Sequence, residues 1–340
     1  MVFSQTIGVR ILMKVQYVTK FELALIPLIL VMIAFPLSIQ YPPVNTAWIV
    51  SNILIVLIGF SIGLISSFLS ALAGMLGPDY IGSLMQGFSC SFMFVSFLRL
   101  ICLLSFPGQD DQSYFKGTIL YFSMNIVILT AMAITIPCYL RSDIMIGTIR
   151  RDTKSVDDLM MTVTSSARMN GGSSNKKIWV EALVIFFVFG LTFMLYPSII
   201  YQKSSSIFPT RPDWSIFILN VSESVGDFAG RSLARIKDSY SRQFLVAGTI
   251  LRMIFIATTF MIAMSDGEFW NNQALIIVNV FLLGLTNGFF ATAACRTIPG
   301  LLDGNEKEYG GFVMSVMINA GIGTGSLISL LGFSHLFSNN

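Results

Sequence analysis

The chain has 340 residues, 54% of them hydrophobic and only 11% charged, and its mean hydropathy is +0.75; a soluble domain carries about 25% charge. That composition excludes an ordinary soluble domain. Continuous runs of about 20 apolar residues, without strand-like alternation, exclude a β-barrel as well and predict an all-α polytopic membrane protein, because a spanning segment must satisfy its backbone polar groups internally. The formal net charge of +3 is small, so the placement of the charges carries more than their sum.

Residues 1–21 carry Arg10, Lys14 and Lys20. They lack an uninterrupted apolar core with a small-residue cleavage site, and so read as a basic cytoplasmic flank rather than a signal peptide. Nine apolar segments follow, at about 22–40, 47–76, 81–106, 117–140, 178–200, 214–234, 243–264, 272–295 and 309–333, each near the length that spans a bilayer. The polar stretch 141–177, with RRD, SVDD and NGGSSNKK, predicts a cytoplasmic linker between an N-terminal bundle of four spans (22–140) and a C-terminal bundle of five (178–333). Residues 334–340 form a tail.

Lys and Arg are enriched in cytoplasmic connections. With a cytoplasmic N-terminus, fifteen of the 21 lie on the cytoplasmic side, and only Lys116, Lys203 and Arg211 lie on the other. This predicts a cytoplasmic N-terminus and linker and an extracytoplasmic tail, with the plasma membrane as the expected residence. The four cysteines (Cys90, Cys102, Cys138, Cys295) fall in or beside apolar runs without CxxC spacing and read as packing residues. The Asn220–Ser222 sequon lies inside a span.

The segment 214–234 holds Glu223, Asp227 and Arg231 at intervals of four, a single face of a helix. An ionised Asp or Arg at mid-span costs roughly 2.5–3.5 kcal/mol on insertion scales, so the cluster requires partners or water. Asp227 and Arg231 are in the order that suits an i, i+4 ion pair. They read either as a buried pair that fixes one helix on its neighbours or as groups beside a substrate path, where Asp accepts and Arg donates. Glu223 reads as protonated, wet, or paired with Arg99 or Arg252, with proton coupling as one role. Arg252 faces the bundle or reaches the interface. Small residues spaced by four, at Gly59 and Gly63, Gly284 and Gly288, and Gly321 and Gly325, predict close helix packing. Pro137, Pro197 and Pro299 mark kinks or stops, with Pro197 expected to bend its helix.

These residues resemble the equilibrative nucleoside transporter family. The run Asp227-Phe-Ala-Gly230-Arg231 is similar to the family's Asp-x-x-Gly-Arg signature. LSALAGMLGPDY (69–80), FVFGLTFMLYPSIIYQKSS (187–205), LRMIFI (251–256), LTNGFFATAACRTIP (285–299) and GIGTGSLISLL (321–331) resemble further family motifs in the same order. The resemblance implies a major-facilitator-like bundle of eleven helices. About nine are present here, the first match falling at the third. The expectation is therefore a divergent, protozoan-type member lacking the first two helices, with an incomplete cavity. In MQGFSCSF (85–92), Gly87 is kept and Phe88 stands where the family often has Gln, replacing a polar reader with an aromatic surface.

The resemblance implies alternating-access transport of nucleosides or nucleobases, facilitative or proton-coupled. In that reading Asp227 and Arg231 contact or gate the sugar, Phe88 lines the base, Asn287 and Gly288 shape the opposing wall, and Glu223 and Arg252 complete the polar site. Gly87, Gly230, Gly288, Gly321, Gly325 and Pro197 serve helix packing. The expected partners are the substrate and the lipid bilayer, with proton coupling as one alternative and neither nucleic acid nor cofactor. The alternatives are a different major-facilitator-type carrier or a truncated, non-transporting member. An enzyme is disfavoured: the one histidine, His335, has no nucleophile or metal motif around it, and no phosphate-binding Gly-rich loop is present.

Overall fold

The computed structural model describes residues 17–40, 44–140, 171–201, 207–265, 267–304 and 306–337. Ten α-helices and no strand occur among them: α1 Tyr17–Gln40, α2 Val44–Leu76, α3 Pro78–Ser105, α4 Asp111–Leu140, α5 Gly171–Leu195, α6 Pro212–Ala234, α7 Arg242–Leu251, α8 Ile254–Met264, α9 Gln273–Thr297 and α10 Glu306–Phe337. Each apolar segment of the sequence becomes a helix, except that the seventh is split into α7 and α8. Seven spans are long and apolar enough to cross a membrane, α7 and α8 counting as one. The other two segments are α1, with a shorter apolar stretch at Ala24–Ser38, and α6, which carries Asp213, Glu223, Asp227 and Arg231.

Three boundaries differ from expectation. Residues 171–177, read as linker, form the first turns of α5, and the remaining linker residues lie outside the described ones. Pro197 follows the end of α5 instead of bending it. The last helix runs to Phe337, into the expected tail.

The chain divides into two compact units, one of residues up to Leu69 with Phe97–Gly171, the other of Ser70–Ser96 with Gly172–Asn340. The division falls within α2 and α3 as well as near the linker. In the first unit α1 packs on α4, with Phe35 stacked on Phe122 at 5.3 Å and Phe21, Ala24, Leu64 and Phe68 forming a small core. The apolar window of α4 has no buried residue, as expected of a helix facing lipid. Asp110 caps α4 through Ser113, and the Ser113 hydrogen bond holds its carboxyl below the ordinary range.

The second unit contains the better-buried cores. Gly77 ends α2 at a φ of 116°, a region that disfavours a side chain, and Pro78 then opens α3, where a missing N–H costs no helix bond. Pro212 opens α6 in the same way. Asn272 caps α9 by accepting from the N–H groups of Ala274 and Leu275. One apolar cluster gathers Met85, Ile185, Val188, Ala234 and Ala291, and a second gathers Leu191, Leu195, Leu219, Ile276 and Leu283. On α6 and α9 a polar residue, Asp227 and Asn287, sits between the members of the two clusters, and on α5 Thr192 lies next to Leu191 of the second.

Candidate functional site

The site begins with the contact between α6 and α9. A Cβ at Gly226 or Gly230 would overlap the α9 backbone at Phe281 or Leu285, and one at Gly284 or Gly288 would overlap the α6 carbonyls of Glu223 or Asp227. The glycines are reciprocal, so two backbones lie in direct contact and side chains flanking the seam are shielded from water. Gly321 and Gly325 lie likewise against the α5 backbone at Phe186 and Gly190. A Cβ at Gly87 would meet open space, on an exposed part of α3.

Beside that seam Asp227 and Arg231 form the i, i+4 pair, each 2% exposed. Arg231 Nε donates to Asp227 Oδ2 at 2.7 Å and its Nη2 to Oδ1 at 3.3 Å. Ser89 on α3 donates to Oδ2 at 2.6 Å, and the Asn287 amide on α9 donates to Oδ1 at 2.9 Å. The carboxylate therefore accepts four hydrogen bonds from three helices, which supplies the compensation a buried anion needs. The remaining face of the guanidinium meets Met85 Sδ at 3.4 Å.

Arg252 is the second buried cation, also 2% exposed. It sits at the junction of α7 and α8, where the N–H groups of Met253, Phe255 and Ile256 bond three residues back and tighten the turn. Its guanidinium donates to Thr286 Oγ1 at 3.0 Å, the Val188 carbonyl at 3.0 Å, Thr192 Oγ1 at 2.7 Å and the Leu283 carbonyl at 3.4 Å. All four acceptors are neutral, and Glu223, for which pairing with Arg252 was one of the alternatives, is not among them. Thr192 passes the contact on, donating to Asn287 Oδ1 at 3.0 Å. A directional chain thus runs from Arg252 through Thr192 and Asn287 to Asp227, where it meets the hydrogen bonds that Arg231 donates from the other side.

Glu223 lies one turn from Asp227, half-buried, with no hydrogen bond or ion pair to another described residue. Arg99, the other partner considered for it, is exposed on α3. Phe88 rests half-buried against the apolar cluster of Met85 and Val188; the α3 side chain that reaches Asp227 is Ser89, one residue on. Sequence reading missed Ser89, Thr192 and Thr286. The Met85–Ser89 spacing of four, which puts both on one helical face, was the available signal for the first.

The far end of the unit, at the starts of α3, α5, α7 and α10, is closed by ion pairs. Arg296 joins Asp79 at 3.2 Å and also donates to the Ala234 and Lys237 carbonyls. Arg242 pairs with Glu181 at 2.6 Å and also donates to the Lys177 carbonyl. Lys177 meets Glu306 at 3.2 Å and Asp303 at 3.4 Å. Among the described residues no group of His, Cys, Asp and Glu is arranged to hold a metal ion.

A family model described as "Nucleoside transporter" matches residues 52–333. The chain is 24% identical over 279 residues to the equilibrative nucleotide transporter 8 of Arabidopsis thaliana, covering 82% of this chain and 68% of that protein. It is 24% identical over 329 residues to the equilibrative nucleoside transporter 1 of Rattus norvegicus, covering 84% and 68%. To the nucleoside transporter 2 of Leishmania donovani it is 29% identical over 181 residues, covering 51% and 34%. The chain thus spans between 34% and 68% of the length of these relatives.

Proposed function

The chain belongs to the nucleoside transporter family, of multi-pass membrane transporters and not of enzymes, and from that premise we propose that it carries nucleosides, and nucleobases of similar shape, across a membrane by alternating access. The observation that carries the reading is the saturated carboxylate of Asp227, held by Arg231, Ser89 and Asn287, on the segment that matches the family. Such a junction stores several hydrogen bonds in one arrangement and can release them together when helices move, which is what a two-state carrier requires. In this reading Asp227 and Arg231 act as a gate, and the ion pairs of Asp79, Glu181 and Lys177 close the cytoplasmic end. The excess of Lys and Arg on that side supports a cytoplasmic N-terminus, and we place the carrier in the plasma membrane.

The test is uptake of labelled adenosine and hypoxanthine by the full chain, with nucleosides and sugars as competitors. Saturable uptake, blocked by nucleosides and abolished by Asp227→Ala, is expected; no saturable uptake of either compound, or competition by sugars alone, overturns the reading. The nucleoside gradient drives transport alone or together with protons. A protonophore separates the two: it leaves the first unchanged and lowers accumulation in the second.

A further inference from the structure

The apolar span Arg242–Met264 is entered from a short turn, residues 235–241, that follows the last residue of α6. A turn at the end of a spanning segment lies at the level of the lipid headgroups. Its sequence, RIKDSYS, sets Ile236 between two cations. Ile236 is 79% exposed, more than any other large hydrophobic among the described residues. On a helix that faces lipid such exposure is ordinary, but in a polar turn it costs free energy unless the side chain enters the bilayer.

The cations beside it have no acidic partner. Arg235 and Lys237 are exposed and form no ion pair with a described residue, whereas Arg242, Arg296 and Lys177 at the same end all do. Arg235 makes one long hydrogen bond, to Ser83 Oγ at 3.4 Å. Lys237 Nζ stands 5.7 Å from the centroid of the Tyr240 ring, which stacks on Phe244 at 5.6 Å, itself 45% exposed. The acid of the turn, Asp238, is exposed and pairs with neither cation. The turn also has a structural duty: the Ala234 and Lys237 carbonyls accept from the buried Arg296 at 3.1 and 3.0 Å, and Arg296 continues to Asp79 on α3. Whatever fixes the turn therefore fixes the acceptors that tie the end of α9 to the start of α3.

We propose that the turn 235–241 binds the headgroup of an anionic glycerophospholipid, Arg235 and Lys237 taking its negative charge and Ile236 entering the acyl region beside it. Charge complementarity selects this occupant, because a turn on the Lys- and Arg-rich side of the protein faces the anionic leaflet. Phosphatidylcholine offers the same chains but cancels its own phosphate charge. Bound lipid steadies the Arg296 tether and so favours closure of that end. The site needs the membrane assignment and not the nucleoside reading: lost uptake with lipid preference kept overturns only the latter, and the converse result overturns only the lipid site.

The experiment reconstitutes the purified full chain in phosphatidylcholine bilayers and compares the retention of spin-labelled phosphatidylserine and phosphatidylcholine. Wild type should prefer phosphatidylserine by about 5- to 30-fold, the range for one or two cations near an anionic headgroup. Arg235→Gln with Lys237→Gln should bring the preference below about 2-fold, while Arg235→Lys with Lys237→Arg, which keeps both charges, should retain it and guards against a misfolded Gln variant. Lys116→Gln, an exposed lysine of α4, should change nothing, and Ile236→Ser should weaken both lipids alike. Added phosphatidylserine should raise the melting temperature of wild type but not of the double Gln variant; a preference without that rise overturns the link to closure. A double Gln variant with the wild-type preference overturns the site itself. So does release of phosphatidylserine by inorganic phosphate at constant ionic strength, which makes the turn a site for a free anion, and so does a wild-type dimer that the double variant dissolves, which gives the turn to a second copy.

Discussion

Two helix pairs in the second unit use the same packing device to different ends. The pair α5–α10 closes through Gly321 and Gly325 against the backbone of Phe186 and Gly190, and the ion pair that joins these helices, Lys177 with Glu306, lies at their ends. The pair α6–α9 closes through Gly226, Gly230, Gly284 and Gly288 and places Asp227 and Asn287 along the seam within the helices, with Arg231 in the last turn of α6. Close approach of backbones is thus not itself a sign of a functional site. It becomes one where the excluded water would otherwise have solvated a charge, because each buried ion must then find fixed partners.

The sharpest way to break the contrast is Asp227→Ala. It leaves Arg231 buried without its anion, and removing one partner of a buried pair costs about 3–5 kcal/mol. Melting of the detergent-solubilised protein should fall accordingly, and uptake should be lost. Replacing both partners, as Asp227→Leu with Arg231→Leu, should restore most of the stability but none of the uptake. Restored uptake in the double variant would make the pair a packing element like the α5–α10 seam.

A finer comparison sets Gly288→Ala against Gly325→Ala. Each added Cβ meets a backbone carbonyl, of Asp227 or of Gly190, and backbone cannot swing aside as a side chain does. Both should lose up to about 3 kcal/mol from overpacking. At matched surface expression only Gly288→Ala should also lower the uptake rate, since it separates Asn287 from Asp227. Equal uptake losses would erase the distinction between the seams.

Much of this architecture was legible in the sequence. Apolar runs gave the helices because a bilayer admits few alternatives, and the interval of four marked the Asp227–Arg231 pair. The partners were not legible. Thr192 bonds its own Val188 carbonyl as well as Asn287, and Thr118, Thr130 and Thr135 show the same backbone habit without a buried ion beside them. A mid-span hydroxyl looks alike in both settings until the opposite helix is in place. The break at Arg252 was hidden for a related reason: the acceptors that hold its guanidinium, Val188, Thr192, Leu283 and Thr286, come from other parts of the chain. Phe88 drew attention through its place in a motif, whereas the side chain that points to Asp227 is the smaller Ser89.

Thr192 offers the next step down in effect. Thr192→Val keeps the shape and removes the hydroxyl that accepts from Arg252 and donates to Asn287. Leaving those groups unsatisfied should cost about 2 kcal/mol and reduce uptake, while Thr192→Ser should recover most of both. If Val and Ser variants behave alike, the chain from Arg252 to Asp227 is not continuous in function.

The smallest effect serves as the control that makes the others interpretable. Asn272 caps α9, the helix that carries Asn287, but does so at the opposite end from the ion pairs of Arg296. Asn272→Ala removes the acceptor for the N–H groups of Ala274 and Leu275 and should cost about 1 kcal/mol, within the usual range for a lost cap. Because the glycine seam holds α9 on α6 independently of that cap, the loss should appear in thermal melting with uptake kinetics unchanged. A change in the adenosine KM on cap removal would mean that the whole of α9 moves with the substrate, and the gate would then extend well beyond the residues around Asp227.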